Sequence, residues 1–382
     1  LVVGEVTASV LLVVLAGLFV TSLYKLLHVD RGFQTQHILS AQVVLPDKQY
    51  HDQAVRNGFY DQALQRLQQL PSVQSTGVIS VLPLDGDAWG DLISKTGDTQ
   101  PLWQRPGGHF RWITPGLFET LRVPLIAGRF LNEEDRGKNV AIISQQVAQA
   151  VWPGQSAIGE LFRRGDPDEA PFKVIGVVGD IRSVDLSKPT PRMVYVPTWY
   201  RSNEHGSFVI RTTGDPVTMV SAVRKAIWSI DSQVAIPDIR TMETVVDGSV
   251  AARRFQMHLL LAFAVCSLLL AALGIYGVVT YTTTQRTQEI GIRMALGASY
   301  SDVYRLILSE GITPVFIGAA LGVLLAALGG RILSSLLFEV KANNPLIAGT
   351  ACAILITVGV FACLVPARRA TKIDPMQALR DE

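Results

Sequence analysis

Charged residues are scarce in this sequence: only 17% of its 382 positions are Asp, Glu, Lys or Arg, against roughly 25% in an ordinary soluble protein. The deficit is local, because four long segments share a single charged side chain, Glu5. These segments are Leu1–Tyr24, Met257–Thr284, Gly311–Gly330 and Leu346–Val365. The low average therefore describes two kinds of sequence joined in one chain.

Cysteine is also scarce, and basic residues are not in excess. Cys266, Cys352 and Cys363 all lie inside apolar segments, which excludes a disulfide scaffold. The 34 basic and 32 acidic residues give a net charge of +2. A nucleic-acid-binding protein would show a basic surplus or stripe, so no nucleic-acid partner is expected.

Motifs that carry out chemistry are missing. There is no phosphate-binding P-loop, no His-Glu-x-x-His zinc motif and no Gly-x-Ser-x-Gly nucleophile elbow. The six histidines are scattered without the spacing of metal ligands. The acidic run Glu133–Asp135 is interpreted as a solvated loop. We therefore expect no enzyme activity, no catalytic or metal-binding residues and no cofactor.

Each of the four apolar segments is long enough to cross a bilayer core of about 30 Å as a helix. Four crossings put both chain ends on one side and the polar stretch on the other. Lys and Arg are more frequent in the short segments assigned to the side of the termini than in the 331–345 loop, so we expect the termini inside. The first segment has no basic start or cleavage site and the chain begins without Met; we expect the natural sequence to continue upstream.

The polar stretch shows the order strand, helix, strand twice. Residues 38–45 alternate like a strand, and apolar residues then recur at helical spacing from Val55 to Leu70. The same order returns from Ser207 to Ile239, where Asp215-Pro216 begins the helix. This predicts a split ferredoxin-like platform carrying a β-rich insertion at about Phe110–Pro197. The fold class is thus membrane α-helical, with four transmembrane helices and an α+β extracytoplasmic domain.

Two features of the apolar segments leave alternatives open. Gly318 and Gly322 form a small-xxx-small pair that would let another helix approach closely, although glycine is common in membrane helices in general. Either Glu5 or Glu310 could line a polar path, but a position at the membrane edge, where each reaches water, is favoured.

Trp89, Trp103 and Trp112 could form a sticky surface, but core or loop packing is expected for these tryptophans.

The segment Gln285–Ser299 follows the second apolar run directly. As a helix it places Arg286, Glu289 and Arg293 on one stripe. Such a helix can lie at the membrane surface and present its charges to a cytoplasmic partner. Periodicity alone favours a plain interfacial helix.

The residues themselves carry a family resemblance. Gln285-Arg-Thr-Gln-Glu-Ile-Gly-Ile-Arg-Met-Ala-Leu-Gly-Ala-Ser299 resembles the "R-x-x-EIGIR-x-A-x-GA" segment of FtsX/MacB-type ABC transporter permeases. The ending from Pro366 to Arg380 resembles that family's "PARRA-x-x-IDP-x-x-ALR". Leu121–Phe130 and Ile175–Asp180 resemble landmarks of the MacB-like periplasmic core domain.

The resemblance implies a bacterial inner-membrane permease subunit that works with a separate cytoplasmic ABC ATPase, as a dimer or a tandem pseudo-dimer, with membrane lipid around it and a periplasmic adaptor as a further partner. It implies that the chain couples ATP hydrolysis to motion of the extracytoplasmic domain for export or efflux. The alternative is an FtsX-like regulator of an extracytoplasmic enzyme. The ATPase-coupling residues would be Arg286, Glu289, Ile290, Gly291, Arg293 and Gly297. The chain looks like the second half of a tandem long permease.

These considerations divide the chain as follows. We expect transmembrane helices at 1–27, 256–284, 301–330 and 346–366, an extracytoplasmic core domain at 28–255, a coupling helix at 285–300, a short outer loop at 331–345 and a cytoplasmic tail at 367–382.

Overall fold

A computed structural model describes residues 2–86, 89–97, 100–165, 169–286, 288–289, 292–293, 299–333, 337–340 and 344–370. The chain divides into two compact units. One, which we call the inner unit, combines Leu1–His28 with Ala252–Glu382. The other, which we call the outer unit, is Val29–Ala251.

The regular elements are as follows. The helices are α1 (Val2–Leu27), α2 (Asp47–Tyr50), α3 (Gln53–Gln68), α4 (Leu117–Leu121), α5 (Gln145–Val151), α6 (Val220–Trp228), α7 (Met242–Ser249), α8 (Ala251–Gln285), α9 (Tyr300–Leu333) and α10 (Pro345–Ala370). The strands are β1 (Ile38–Val44), β2 (Val73–Ile79), β3 (Trp89–Lys95), β4 (Gly107–Ile113), β5 (Leu125–Gly128), β6 (Val140–Ser144), β7 (Leu161–Arg164), β8 (Phe172–Val178), β9 (Met193–Pro197), β10 (His205–Thr212) and β11 (Ala235–Thr241).

The platform of the outer unit is an antiparallel sheet in the order β11-β1-β10-β2. If the four strands of the two strand-helix-strand units are numbered along the chain, this sheet order is fourth, first, third, second. Phe59 and Ala63 of α3 and Val223 of α6 share one buried core with Phe208 of β10. The split ferredoxin-like prediction is therefore confirmed.

Local signals explain where the two platform helices begin. The Asp52 side chain accepts a hydrogen bond from the Ala54 amide at 2.7 Å and caps α3. Asp215 accepts from the Val217 amide at 3.0 Å, at the start of a 3₁₀ turn, Pro216–Met219, that leads into α6. The expected apolar stripe of α3 is wrong at its first position, because Val55 is exposed and burial begins at Phe59.

The insertion is a closed ring of strands. Pairing runs β4-β3-β7-β8-β6-β9 and returns from β9 to β4, while β5 adds to β8. Closure leaves no open edge along this path, which removes sites for unwanted strand pairing. β2 of the platform pairs with β4 of the ring at Ile79 and Ile113, and beside this pair the Ser80 amide donates to the Trp112 carbonyl at 3.0 Å. The insertion is β-rich as predicted, but it begins earlier than Phe110, at β3.

Asp135 corrects the interpretation of the acidic run as a solvated loop. Its side chain is 1% exposed and accepts two hydrogen bonds from the Arg129 guanidinium, both at 2.6 Å. It also accepts from the Asn132 amide at 3.2 Å. The Arg129 guanidinium, with smaller help from that amide, holds the pKa of Asp135 below its ordinary value. Glu133 and Glu134 are exposed as expected.

The inner unit contains the membrane helices. Among the described residues, four helices are long and apolar enough to cross a membrane: Val2–Leu27, Ala251–Gln285, Gly311–Gly329 and Pro345–Pro366. The third of these is the apolar part of α9, whose Pro314 stands inside the helix. The predicted four membrane helices are confirmed.

The buried ion pair yields a stability prediction. Replacing Asp135 by Asn should lower the free energy of unfolding by about 1–3 kcal/mol, because a buried charge-assisted contact is lost while Arg129 keeps access to water. The folded-state pKa of Asp135 is lowered. The difference between wild type and Asp135→Asn should therefore be constant above the unfolded pKa of about 4 and shrink as the pH falls through the folded value.

Chemical unfolding of the full chain in detergent micelles, measured across acidic pH, checks this prediction. Glu134→Gln is the matched control, since Glu134 is an exposed neighbour, and it should leave stability unchanged. A wild-type advantage over Asp135→Asn that grows on acidification would contradict the assignment.

Candidate functional site

One face of α1 forms a regular buried ridge. Val2, Val6, Val10 and Val14 recur every fourth residue and are all buried. Residues four apart lie on the same side of a helix. This ridge, which we call the valine ridge, belongs to the same apolar cluster as Val315 and Ala319 of α9.

Gly318 and Gly322 of α9 face the valine ridge. A Cβ at position 318 would lie 2.5 Å from Val6 Cγ1 and 3.0 Å from the Val3 carbonyl oxygen. A Cβ at position 322 would lie 2.7 Å from Val10 Cβ. The 2.5 Å and 2.7 Å distances are too short for real contacts, so the two helices approach this closely only because glycine has no side chain at these positions. That the pair serves helix packing stays a prediction, and this geometry supports it.

A polar contact joins α1 to α8. The hydroxyls of Ser9 and Ser267 lie 2.7 Å apart. One turn away along α1, the Glu5 carboxylate lies against Gly274, where a Cβ would come within 2.1 Å of Glu5 Oε2. That oxygen is buried and has no hydrogen-bond partner among the described residues. The expectation that Glu5 simply reaches water is therefore wrong for Oε2.

Two of the predicted ATPase-coupling residues, Glu289 and Arg293, form an ion pair. Arg293 donates to Glu289 at 2.5 Å, with spacing i and i+4. Both side chains are about half exposed, at 53% and 46%, so the pair itself adds little stability. Arg286 is exposed immediately after α8. Ile290, Gly291 and Gly297 lie outside the described residues.

Two features of the helix contacts were not predicted from the sequence. The hydroxyl pair of Ser9 and Ser267 has no local signal, because serine is common in membrane helices and the residues are far apart in the chain. A lone acidic residue in an apolar segment indicates a position facing the interior of the helix bundle, but no local signal identifies Gly274 as the neighbour of Glu5. In the described part of the chain, no group of three His, Cys, Asp or Glu residues could hold a metal ion.

Fold and site together define a class of protein. The chain is a multi-pass membrane protein with a large extracytoplasmic α+β domain between its first and second membrane helices. The family model of the MacB-like periplasmic core domain matches residues 6–256, and that of the FtsX-like permease C-terminal region matches residues 261–375. The chain belongs to the FtsX/MacB-type family of ABC transporter permeases, as its motifs indicated.

Several characterised proteins are similar to it. The pyoverdine export ATP-binding/permease protein PvdT of Pseudomonas entomophila is 27% identical over 324 residues, which cover 80% of this chain and 46% of PvdT. The macrolide export ATP-binding/permease protein MacB of a Shewanella species is 29% identical over 71% of this chain and 43% of MacB. This chain thus spans less than half the length of these relatives.

A solved structure is also similar. The periplasmic region of MacB from Actinobacillus actinomycetemcomitans aligns with 59% of this chain and 97% of its own, at 16% identity and a TM-score of 0.39.

The contact between α9 and the valine ridge predicts opposite effects for two glycine substitutions. Gly318→Ala should lower the free energy of unfolding by about 1–3 kcal/mol, because the new methyl group would force α1 and α9 apart. Gly329→Ala on the same helix should be neutral or stabilising, since nothing lies within 4 Å of a Cβ there and alanine favours helix more than glycine does.

Unfolding of both variants in matched micelles measures the difference. Equal effects at positions 318 and 329 would show that close approach to α1 is not what Gly318 provides.

Proposed function

We propose that this chain is a permease subunit that couples ATP hydrolysis by a separate cytoplasmic ABC ATPase to motion of its extracytoplasmic domain, for export. We propose further that two such four-helix units act together, as a dimer or in tandem, with an adaptor on the outer side. In this proposal the ATPase supplies the ATP-binding site.

The observation that carries the proposal is the charged segment that follows α8. Glu289 and Arg293 are half exposed and paired with each other, and they lie within the part of the chain that matches the FtsX-like permease region. An exposed ion pair of this kind contributes at most about 0.5 kcal/mol to a helix. We therefore propose that the exposed ion pair forms a charged surface to which a partner protein binds.

The names of the relatives support export over regulation of an enzyme. Both PvdT and MacB are called export ATP-binding/permease proteins. In our proposal the ATPase moves the coupling segment, which we define as Gln285–Ser299, and α8 carries this motion because it is one continuous helix from Ala251 to Gln285. A continuous helix keeps its backbone hydrogen bonds throughout the bilayer and can transmit displacement along its length.

Charge reversal separates a partner contact from a purely local role. In lipid nanodiscs with the cognate ATPase, Arg293→Glu should weaken ATPase binding and the stimulation of ATP hydrolysis at least fivefold, a loss of about 1 kcal/mol or more in coupling. The double variant Glu289→Arg with Arg293→Glu rebuilds an ion pair within the segment but with the charges exchanged. It should remain defective.

The double variant distinguishes a contact with the ATPase from a role within the segment's own helix. If exchanging both charges restored stimulation to the wild-type level, the pair would serve only the segment's own helix and the coupling role would be wrong. Circular dichroism of each variant controls for loss of helix.

A further inference from the structure

A small cavity lies where the platform meets the closed ring of strands in the outer unit. Its volume is about 90 Å³, and its walls include Trp89, Phe110 and Trp112 together with Arg201 and Asn203. This is smaller than the ~150 Å³ cavity that holds benzene in another protein. The comparison limits the ligand to a small functional group with a short apolar stem.

Two guanidinium groups lie over the same indole ring beside this cavity. The guanidinium carbon of Arg164 is 4.2 Å from the Trp89 ring centroid, and that of Arg201 is 4.3 Å from it. Arg164 is neutralised, because it forms an ion pair with Glu169 and lies 3.6 Å from Asp91. Arg201 makes no ion pair and no side-chain hydrogen bond with the described residues. The ring therefore holds one cation in place whose N–H donors remain available.

One residue that lines the cavity has a buried polar group without a partner. Trp112 is 4% exposed, and its indole nitrogen is buried without a hydrogen-bond acceptor in the described part of the chain. A buried donor without an acceptor costs about 1–3 kcal/mol, so it is normally matched by a partner.

Two other tryptophans have indole nitrogens that do find a hydrogen-bond acceptor, unlike that of Trp112. The Trp228 indole donates to the Val234 carbonyl at 3.0 Å, and the Trp199 indole donates to the Lys138 carbonyl at 3.3 Å. Trp228 also has a guanidinium above it, that of Arg224 at 5.6 Å. It therefore repeats the arginine–tryptophan contact with a satisfied indole.

From these contacts we infer that the cavity is a binding site for the carboxylate of a small organic acid. Arg201 supplies charge and paired donors to the two oxygens, and the indole of Trp112 offers a further donor. Trp89 and Phe110 pack against the acid's apolar stem. None of the described residues that line the cavity is acidic. The inference does not depend on coupling to an ATPase.

Fluorine NMR of the full chain in lipid nanodiscs tests the site. The six tryptophans are replaced by 5-fluorotryptophan, and each resonance is assigned by a Trp→Phe variant. Sodium butyrate is the probe, with butyramide plus sodium chloride as the neutral match of the same size. The resonances of Trp112 and Trp89 should shift and saturate with butyrate and not with butyramide, while that of Trp228 stays in place.

Arginine variants complete the test. Arg201→Gln should raise the butyrate Kd at least tenfold, and because Arg201 is exposed the variant should fold normally. Arg224→Gln is the matched control, since it removes the guanidinium from Trp228, and it should leave the Kd unchanged. Equal shifts with butyramide, no saturable shift with butyrate, or an unchanged Kd in Arg201→Gln would each overturn the site.

Discussion

The close approach of α1 and α9 is the contact on which the membrane unit depends. Inside a bilayer the hydrophobic effect does not drive helices together, so association relies on packing and on a few polar contacts. Gly318 and Gly322 let the valine ridge of α1 sit against the α9 backbone, and the hydroxyls of Ser9 and Ser267 tie α1 to α8. The N-terminal helix is thereby packed with helices that lie more than two hundred residues later in the chain.

The outer unit meets a different constraint, because it folds in water and must bury its apolar faces against one another. Its platform buries the apolar stripes of α3 and α6 against one sheet, and its insertion closes on itself without an open edge along the ring. β2 of the platform pairs with β4 of the ring at Ile79 and Ile113. The small cavity lies at this junction, which is a place where two well-packed bodies meet and where polar groups such as the Trp112 indole can remain unmatched.

The sequence predicted the elements that depend on local patterns and missed those that depend on distant partners. Four apolar runs and two strand-helix-strand units are periodic over many residues, so the membrane helices and the platform were predictable. The sequence indicates a solvated Asp135, because its partner, Arg129, is recognisable only once the loop is folded. It likewise indicates that Glu5 reaches water, because Gly274 is far away in the chain. The Trp89 stack combines residues from three separate segments, which no spacing rule can reveal.

We propose that an event in the cytoplasm moves the outer unit. A distance measured by double electron–electron resonance tests this proposal most directly. Spin labels at Ser232→Cys in the outer unit and Gly349→Cys on α10, with Cys266, Cys352 and Cys363 replaced by alanine, report the distance between the two units. In the complex with the ATPase, trapping ATP should shift the distance distribution, and Arg293→Glu should abolish the shift. An unchanged distribution in a complex that hydrolyses ATP normally would contradict the account.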